Sequence, residues 1–320
     1  MRPMAFLAAV LCTALTLSRP VAAAGWDEDI AFGDILGEQR TVEIGRTDTF
    51  VGLALAHGVG YVELRAANPD IDPWLPPAGE DLLLPTRKIA PRAEGAGIVV
   101  NRAEMRLYLY RDDMPVWTAP ISLGRDGYQT PLGRLPIGQK NKNPNWYPTQ
   151  SHREETPELP RVVASGPDNP LGDYALRLGH TAYLLHGTNR PMSIGRQVSR
   201  GCIRLYPQDI ERLFEQVSLG MDVRIIDAPV KVAFHEGRLY LEIAPSIDQV
   251  HAFDLGGEVP VDPYREIRSL LLEVVGDLAS EIDWSKVERL ARERRGLPEP
   301  VSAPIARELG SSVPTSASSG

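Results

Sequence analysis

Short runs in which apolar and polar residues alternate fill the middle of the chain. They cover 97–101, 105–111, 116–123, 174–178, 183–186 and 221–226, with Gly, Pro, Asn and Asp between them. A period of two puts every second side chain on one face of a sheet, so these runs predict a mostly antiparallel β domain over 97–227. One segment breaks the rhythm. Pro207 opens a stretch in which Ile210, Leu213, Phe214 and Val217 share a helical face, and proline suits a first helical position.

The flanks read differently. Over 41–86, strand-like ends enclose two helical patterns, one starting after Asp48-Thr49 and one running from Val62 to Ala67 before Asn68-Pro69, which predicts a small αβ unit. The basic, Pro-containing stretch TRKIAPRAEG reads as a linker. Beyond the β domain, 229–244 predicts a hairpin turning at Glu236-Gly237. Two helical stretches then occupy 263–296, the second starting near Asp283 and stopping at Gly296, and together these form a C-terminal segment over 228–296. From residue 297 to 320, Pro, Ser and Ala dominate, and the composition predicts a disordered tail.

Composition adds a compartment. Arg2, the apolar run Met4 to Leu17 and Ala22-Ala23-Ala24 form the pattern of a cleavable secretory signal over residues 1–24, and no later run is apolar enough for a transmembrane segment. The whole chain carries 34 basic residues against 42 acidic ones, and the leader takes Arg2 and Arg19 with it. That acidic balance argues against nucleic acid as a partner. Of the 2 cysteines, Cys12 belongs to the leader, so the exported chain keeps only Cys202. A lone thiol in an oxidising compartment is either a small buried apolar residue or a reactive group.

The neighbours of Cys202 favour reactivity. A cysteine attacks a carbonyl as thiolate and needs a base or a positive environment. His186 ends the strand pattern Thr181 to Leu185 just before Gly187, which would hold the imidazole at a strand exit. Gly201 permits a tight turn that can aim backbone amides at a developing oxyanion. Arg200 and Arg204 favour the thiolate and are suited to a substrate carboxylate. A lone histidine is more often structural, but the unexplained thiol raises the weight of His186. His180 competes from a turn-like stretch. His57, His152, His235 and His251 have no Cys or acidic partners at ligand spacing, so neither a metal nor a cofactor is implied.

His186-Gly187-Thr188-Asn189, followed by Ser199-Arg200-Gly201-Cys202-Ile203-Arg204-Leu205, resembles the signature of the YkuD-type L,D-transpeptidases. Thr130-Pro131-Leu132-Gly133, Asn145-Trp146-Tyr147-Pro148 and Gly166 to Gly172 are similar to segments of the ErfK/YbiS branch. Residues 41–86 resemble a LysM module. The order of His before Cys is opposite to that of papain-like and NlpC/P60 peptidases. The resemblance implies a mainly β catalytic domain, a YkuD-like antiparallel β-sandwich or barrel, with a small αβ LysM-like module and a C-terminal αβ segment.

For chemistry, the resemblance implies a periplasmic enzyme that acts on peptidoglycan stem peptides. It would cut between meso-diaminopimelate and the terminal D-Ala, with Cys202 as acylated nucleophile, His186 as base and the Gly187 carbonyl orienting His186. Asn189, Ser199, Arg200 and Arg204 stand as substrate-binding candidates around that pair. Trp146 and Tyr147 either wall the peptide channel or merely pack a loop. Many family members have His where this chain has Arg200. The acyl acceptor stays open between an outer-membrane lipoprotein or other outer-membrane protein, a second diaminopimelate in a 3-3 crosslink, and water, which would make a hydrolase. A non-catalytic wall-binding protein is the reading from a different class.

Overall fold

The computed structural model describes residues 30–255 and 264–305, so the expected signal peptide lies outside the described residues. At the centre is a curled sheet whose strands run, in spatial order, Ile203–Arg204, Leu184–His186, Tyr174–Leu178, Gly133–Lys142, Asp222–Ile226, Ile98–Asn101, Arg106–Arg111 and Met114–Pro120. It is mixed rather than antiparallel. Leu184–His186 runs parallel to Ile203–Arg204, and Asp222–Ile226 runs parallel to Ile98–Asn101. Alternation fixes which side chains share a face but not strand direction, so the pattern could not distinguish the two.

Period two sorts the sheet's side chains into two cores. Ile98, Val100, Leu107, Leu109, Val223 and Ile225 join Ile210 and Leu213 of the helix Pro207–Gln216 in the main cluster. Their neighbours Val99, Tyr108, Tyr110 and Ile226 point the other way, onto Ala31, Ala90 and Ala93. A sheet covered on both faces needs apolar residues at consecutive positions, which is why Ile98–Asn101 and Asp222–Ile226 are richer in Val and Ile than a half-exposed strand.

The αβ unit has the order strand Arg40–Glu43, helix Phe50–His57, helix Tyr61–Ala67, strand Asp81–Leu84, and its two strands pair antiparallel. Thr49 caps the first helix by accepting the Gly52 N–H at 3.1 Å. The unit has no core of its own, since Phe50, Leu53, Leu64 and Leu82 belong to the main cluster. Gly195, at φ +78, meets Gly60 so closely that an added Cβ would lie 2.4 Å from its Cα.

Two expectations at the edges need correction. The supposed linker contains the strand Lys88–Pro91, and the supposed tail begins with the strand Glu299–Pro300 followed by buried Val301. Both belong to a second sheet in the order Glu299–Pro300, Arg238–Ile243, Val230–His235, Ile30–Leu36, Lys88–Pro91. Lys88 made that stretch look solvated, yet it is buried and donates to the Gly296 carbonyl at 2.8 Å. Helices Tyr264–Val275 and Trp284–Glu293 cover this sheet through Ile267, Leu271, Val287 and Leu290. The hairpin turns at Glu236 and Gly237, both at positive φ. A helix over Ile247–Leu255 was not anticipated; Ser246 and Gln249 form its capping box.

Where the αβ unit, the central sheet and the second sheet meet, six ionisable side chains are buried together. Arg106 is hydrogen-bonded to Glu63. Lys88 lies 3.4 Å from Glu63 and 3.5 Å from Glu242, and Lys231 lies 2.6 Å from Glu104 and 3.0 Å from Glu242. Burial works against the Glu63 carboxylate, but Arg106 and Lys88 outweigh it and hold its pKa below the ordinary value. Three cations thus face three anions, as burial of charge requires.

Candidate active site

Parallel pairing of Leu184–His186 with Ile203–Arg204 sets His186 opposite Arg204. Residues opposite each other point to the same face, and Cys202 lies two positions before Arg204. His186, Cys202 and Arg204 therefore converge on one side of the sheet edge, where all three line a cleft of about 540 Å³. His180 sits exposed in a turn and does not line it.

The turn carrying the thiol is built by its neighbours. Gly201 has φ +97, and a Cβ there would come 2.7 Å from the Tyr183 ring. Thr130 Oγ1 donates to the Gly201 carbonyl at 3.0 Å. Ser199 Oγ donates to the Cys202 carbonyl at 2.5 Å and accepts the Gly201 N–H at 3.2 Å. This corrects two expectations. The Gly201 amide is occupied and is not offered to an oxyanion. The Ser199 hydroxyl fastens the turn from a buried position rather than reaching for substrate.

His186 is buried, and its Nδ1 lies 2.6 Å from the Gly187 carbonyl. A carbonyl only accepts, so Nδ1 carries the proton and Nε2 keeps the lone pair a base needs. Burial, with Arg204 adding to it, pushes the imidazole pKa down to about 3 against the pull of the Gly187 and Leu171 carbonyls. Burial likewise raises the Cys202 thiol, opposed by the Leu184 backbone and by Arg204 and Arg177. At rest the cleft thus holds a neutral thiol and a neutral imidazole. Cys202 Sγ lies 3.8 Å from the Ala182 carbonyl, a loose contact for a sulfur donor.

Among the described residues the Arg204 guanidinium makes no hydrogen bond or ion pair, and its Nε is buried. Arg200 is different. It pairs with Glu155 and donates to Ser151 Oγ at 2.8 Å, which commits it to the helix Gln150–Glu155 instead of a substrate carboxylate. Asn189 also departs from expectation, because it lines a neighbouring hollow of about 110 Å³ and donates to the Asp168 carbonyl at 3.1 Å. Trp146 and Tyr147 both line the main cleft, with Tyr147 at the exposed rim. Sequence reasoning missed Tyr128, His152, Arg177 and Tyr183, which also line it. They come from four separate segments, and nothing in their spacing announces a shared cavity.

A profile of the YkuD family, described as the L,D-transpeptidase catalytic domain, matches residues 95–230. The probable L,D-transpeptidase ErfK/SrfK of Salmonella typhimurium is 36% identical over 279 residues, covering 84% of this chain and 88% of that protein. The chain belongs to the L,D-transpeptidase family. A second relative, the probable L,D-transpeptidase YbiS of Escherichia coli K12, is 35% identical over 274 residues, covering 82% of this chain and 87% of its own length. Both matches run well beyond the catalytic domain. The activity is that of an L,D-transpeptidase, a cysteine acyltransferase.

Proposed function

We propose that this L,D-transpeptidase acts on the tetrapeptide stems of peptidoglycan, with Cys202 as the acylated nucleophile and His186 as its base. The observation that carries the reading is the shared cleft, in which the Cys202 thiol, the His186 imidazole and the unpartnered Arg204 guanidinium meet on one side of the sheet edge. As Sγ attacks the diaminopimelate carbonyl, Nε2 takes the thiol proton. The tetrahedral intermediate collapses with cleavage of the C–N bond, and the same proton passes to the departing D-Ala amine. An acceptor amine then attacks the thioester and Cys202 leaves.

The neutral resting pair fits this order, since charge appears only when substrate is in place. Arg204 receives a stem carboxylate, the ion that its half-buried side chain lacks among the described residues. The αβ unit over 41–86 is a LysM-like module contributing contact with the wall, supported by its strand–helix–helix–strand order and by Asn68-Pro69. The leader pattern supports a periplasmic location, and no described helix is long and apolar enough to cross a membrane. The acceptor preferred here is the amine of an outer-membrane lipoprotein or another outer-membrane protein, because LysM-like, catalytic and trailing segments occur together in the ErfK/YbiS branch.

The test is to incubate mature protein with tetrapeptide muropeptides, with and without a candidate acceptor protein, and to weigh the products. A conjugate that requires the acceptor and is absent with Cys202→Ala is expected. Crosslinked dimers alone would replace protein anchoring by 3-3 crosslinking, and free tripeptide alone would make the protein a hydrolase.

A further inference from the structure

The cleft holds a second imidazole. His152 stands on the helix Gln150–Glu155, facing the same cavity as Cys202 and His186 although it is distant from both in sequence. Its Nδ1 is committed to Thr149 Oγ1 at 2.6 Å, while Nε2 has no hydrogen-bond partner among the described residues. Trp146 fixes the ring plane, with centroids 5.2 Å apart and the rings perpendicular.

The helix is moored to the nucleophile's own turn. Ser151 and Glu155, one residue before and three after His152, both bind Arg200, and Arg200 is two residues from Cys202. Arg125 adds a second contact to Glu155 at 3.0 Å. Residues 151 and 155 lie four apart on one helix face, so the two anchors fix both the position and the rotation of the turn that bears His152. Packing against Trp146 alone would need no such mooring.

We propose that His152 is the base that prepares the acyl acceptor, dividing proton transfer between two histidines: His186 serves the thiol and His152 serves the incoming amine. This inference rests on the reading of Cys202 and His186 given above. An amine acceptor arrives mainly as ammonium at neutral pH, because a lysine amine has an ordinary pKa of about 10.4. His152 Nε2 takes one proton from the ammonium and later loses it to solvent. The amine's lone pair then forms the C–N bond with the thioester carbonyl carbon. The C–S bond breaks, and the second amine proton passes through His186 Nε2 to the leaving Cys202 sulfur. The groups facing His152 are Arg200, Arg204, Arg125 and Glu155, and its burial, followed by Arg200, lowers its pKa, which favours the neutral ring.

The test separates the half-reactions in wild type and His152→Gln, with tetrapeptide muropeptide as donor and Nα-acetyl-lysine as acceptor. Acylation is read as the first-turnover release of D-Ala, and transfer as the decay of the Cys202 acyl-enzyme with rising acceptor concentration. Transfer is expected to fall by roughly a hundredfold at pH 7, the usual size of a lost general base, while acylation changes by less than about twofold. Raising the pH toward the amine's own pKa should recover much of the loss, since solvent then supplies free amine. Equal losses in both halves would reduce His152 to a packing residue, and an unchanged transfer rate would also overturn the inference. If wild type itself forms no acyl-enzyme on Cys202, the underlying reading fails instead, so the two failures are distinct.

Discussion

Two regions of this protein treat ionisable groups in opposite ways. At the junction of the αβ unit with the two sheets, Glu63, Glu104 and Glu242 are matched against Lys88, Arg106 and Lys231. In the cleft, His186 and Cys202 rest neutral, and Arg204 has no anion beside it. A paired charge inside a protein holds elements in register. An unpaired one raises the energy of the empty site, and a ligand that supplies the missing ion recovers it. The difference separates structure from function without reference to any relative.

The largest expected effect breaks the cleft alone. Cys202→Ala should abolish turnover while thermal unfolding stays within the scatter of wild type, because a half-buried thiol replaced by a methyl group leaves the surrounding turn intact. Wild type should also gain the mass of a carbapenem, whose strained carbonyl suits this nucleophile, and the variant should not. Intact-mass spectrometry reads both. An adduct on the variant would move the nucleophile elsewhere.

Next comes His186→Ala, with an expected loss of roughly a hundredfold or more in turnover, the typical contribution of a general base. His180→Ala serves as the control, and it should be near wild type because His180 is exposed in a turn away from the cleft. Steady-state rates on muropeptide donor decide the matter, and the reverse ranking would reassign the base.

The comparison itself is tested by removing one charge from each region. Glu63→Gln strips the junction of an anion that Arg106 and Lys88 share, and breaking a buried pair typically costs roughly 3–5 kcal/mol. Arg204→Met removes a cation with no protein partner, so stability should change by less than about 1 kcal/mol or increase, while the donor KM rises. Denaturant unfolding together with steady-state kinetics measures both sides. A stability loss in Arg204→Met as large as in Glu63→Gln would erase the distinction.

The same contrast explains what could be read from the sequence. His186 and Cys202 were legible because strand periodicity and glycine punctuation act locally, and Gly187 and Gly201 mark where the chain must turn. The αβ unit was legible for the same reason, through Asp48-Thr49 and Asn68-Pro69. Strand direction was not, since alternation is identical in parallel and antiparallel ladders, as Leu184–His186 and Asp222–Ile226 demonstrate. Lys88 misled because its charge suggested solvent, whereas its partners Glu63 and Glu242 are far away in the chain. Arg200 misled in the opposite sense, appearing free beside Cys202 while Glu155 and Ser151 occupy it. Long-range pairing decides whether a charge is structural or available, and no local window contains that information.

The smallest effect is a pH dependence that separates the regions by the pH window in which each responds. The His186 pKa is about 3 in the folded protein against an ordinary 6.5. As pH falls below 6.5 the unfolded chain takes up this proton first, so the stability due to a neutral buried His186 is complete above 6.5 and is lost progressively toward pH 3. Between pH 7.5 and 5 that loss amounts to about 2 kcal/mol. The junction responds otherwise. Glu63, held below its usual 4.5, starts to lose its contribution only near and below that pH, while Glu242, raised chiefly by burial, gains relative stability as it takes up a proton. Subtracting His186→Gln from wild type cancels the junction and leaves the histidine alone. Denaturant unfolding of both proteins at pH 7.5, 6 and 5 should therefore show wild type losing stability faster than the variant. Parallel declines would mean that His186 titrates near its ordinary value in the folded protein and takes up its proton over the same pH range as the unfolded chain.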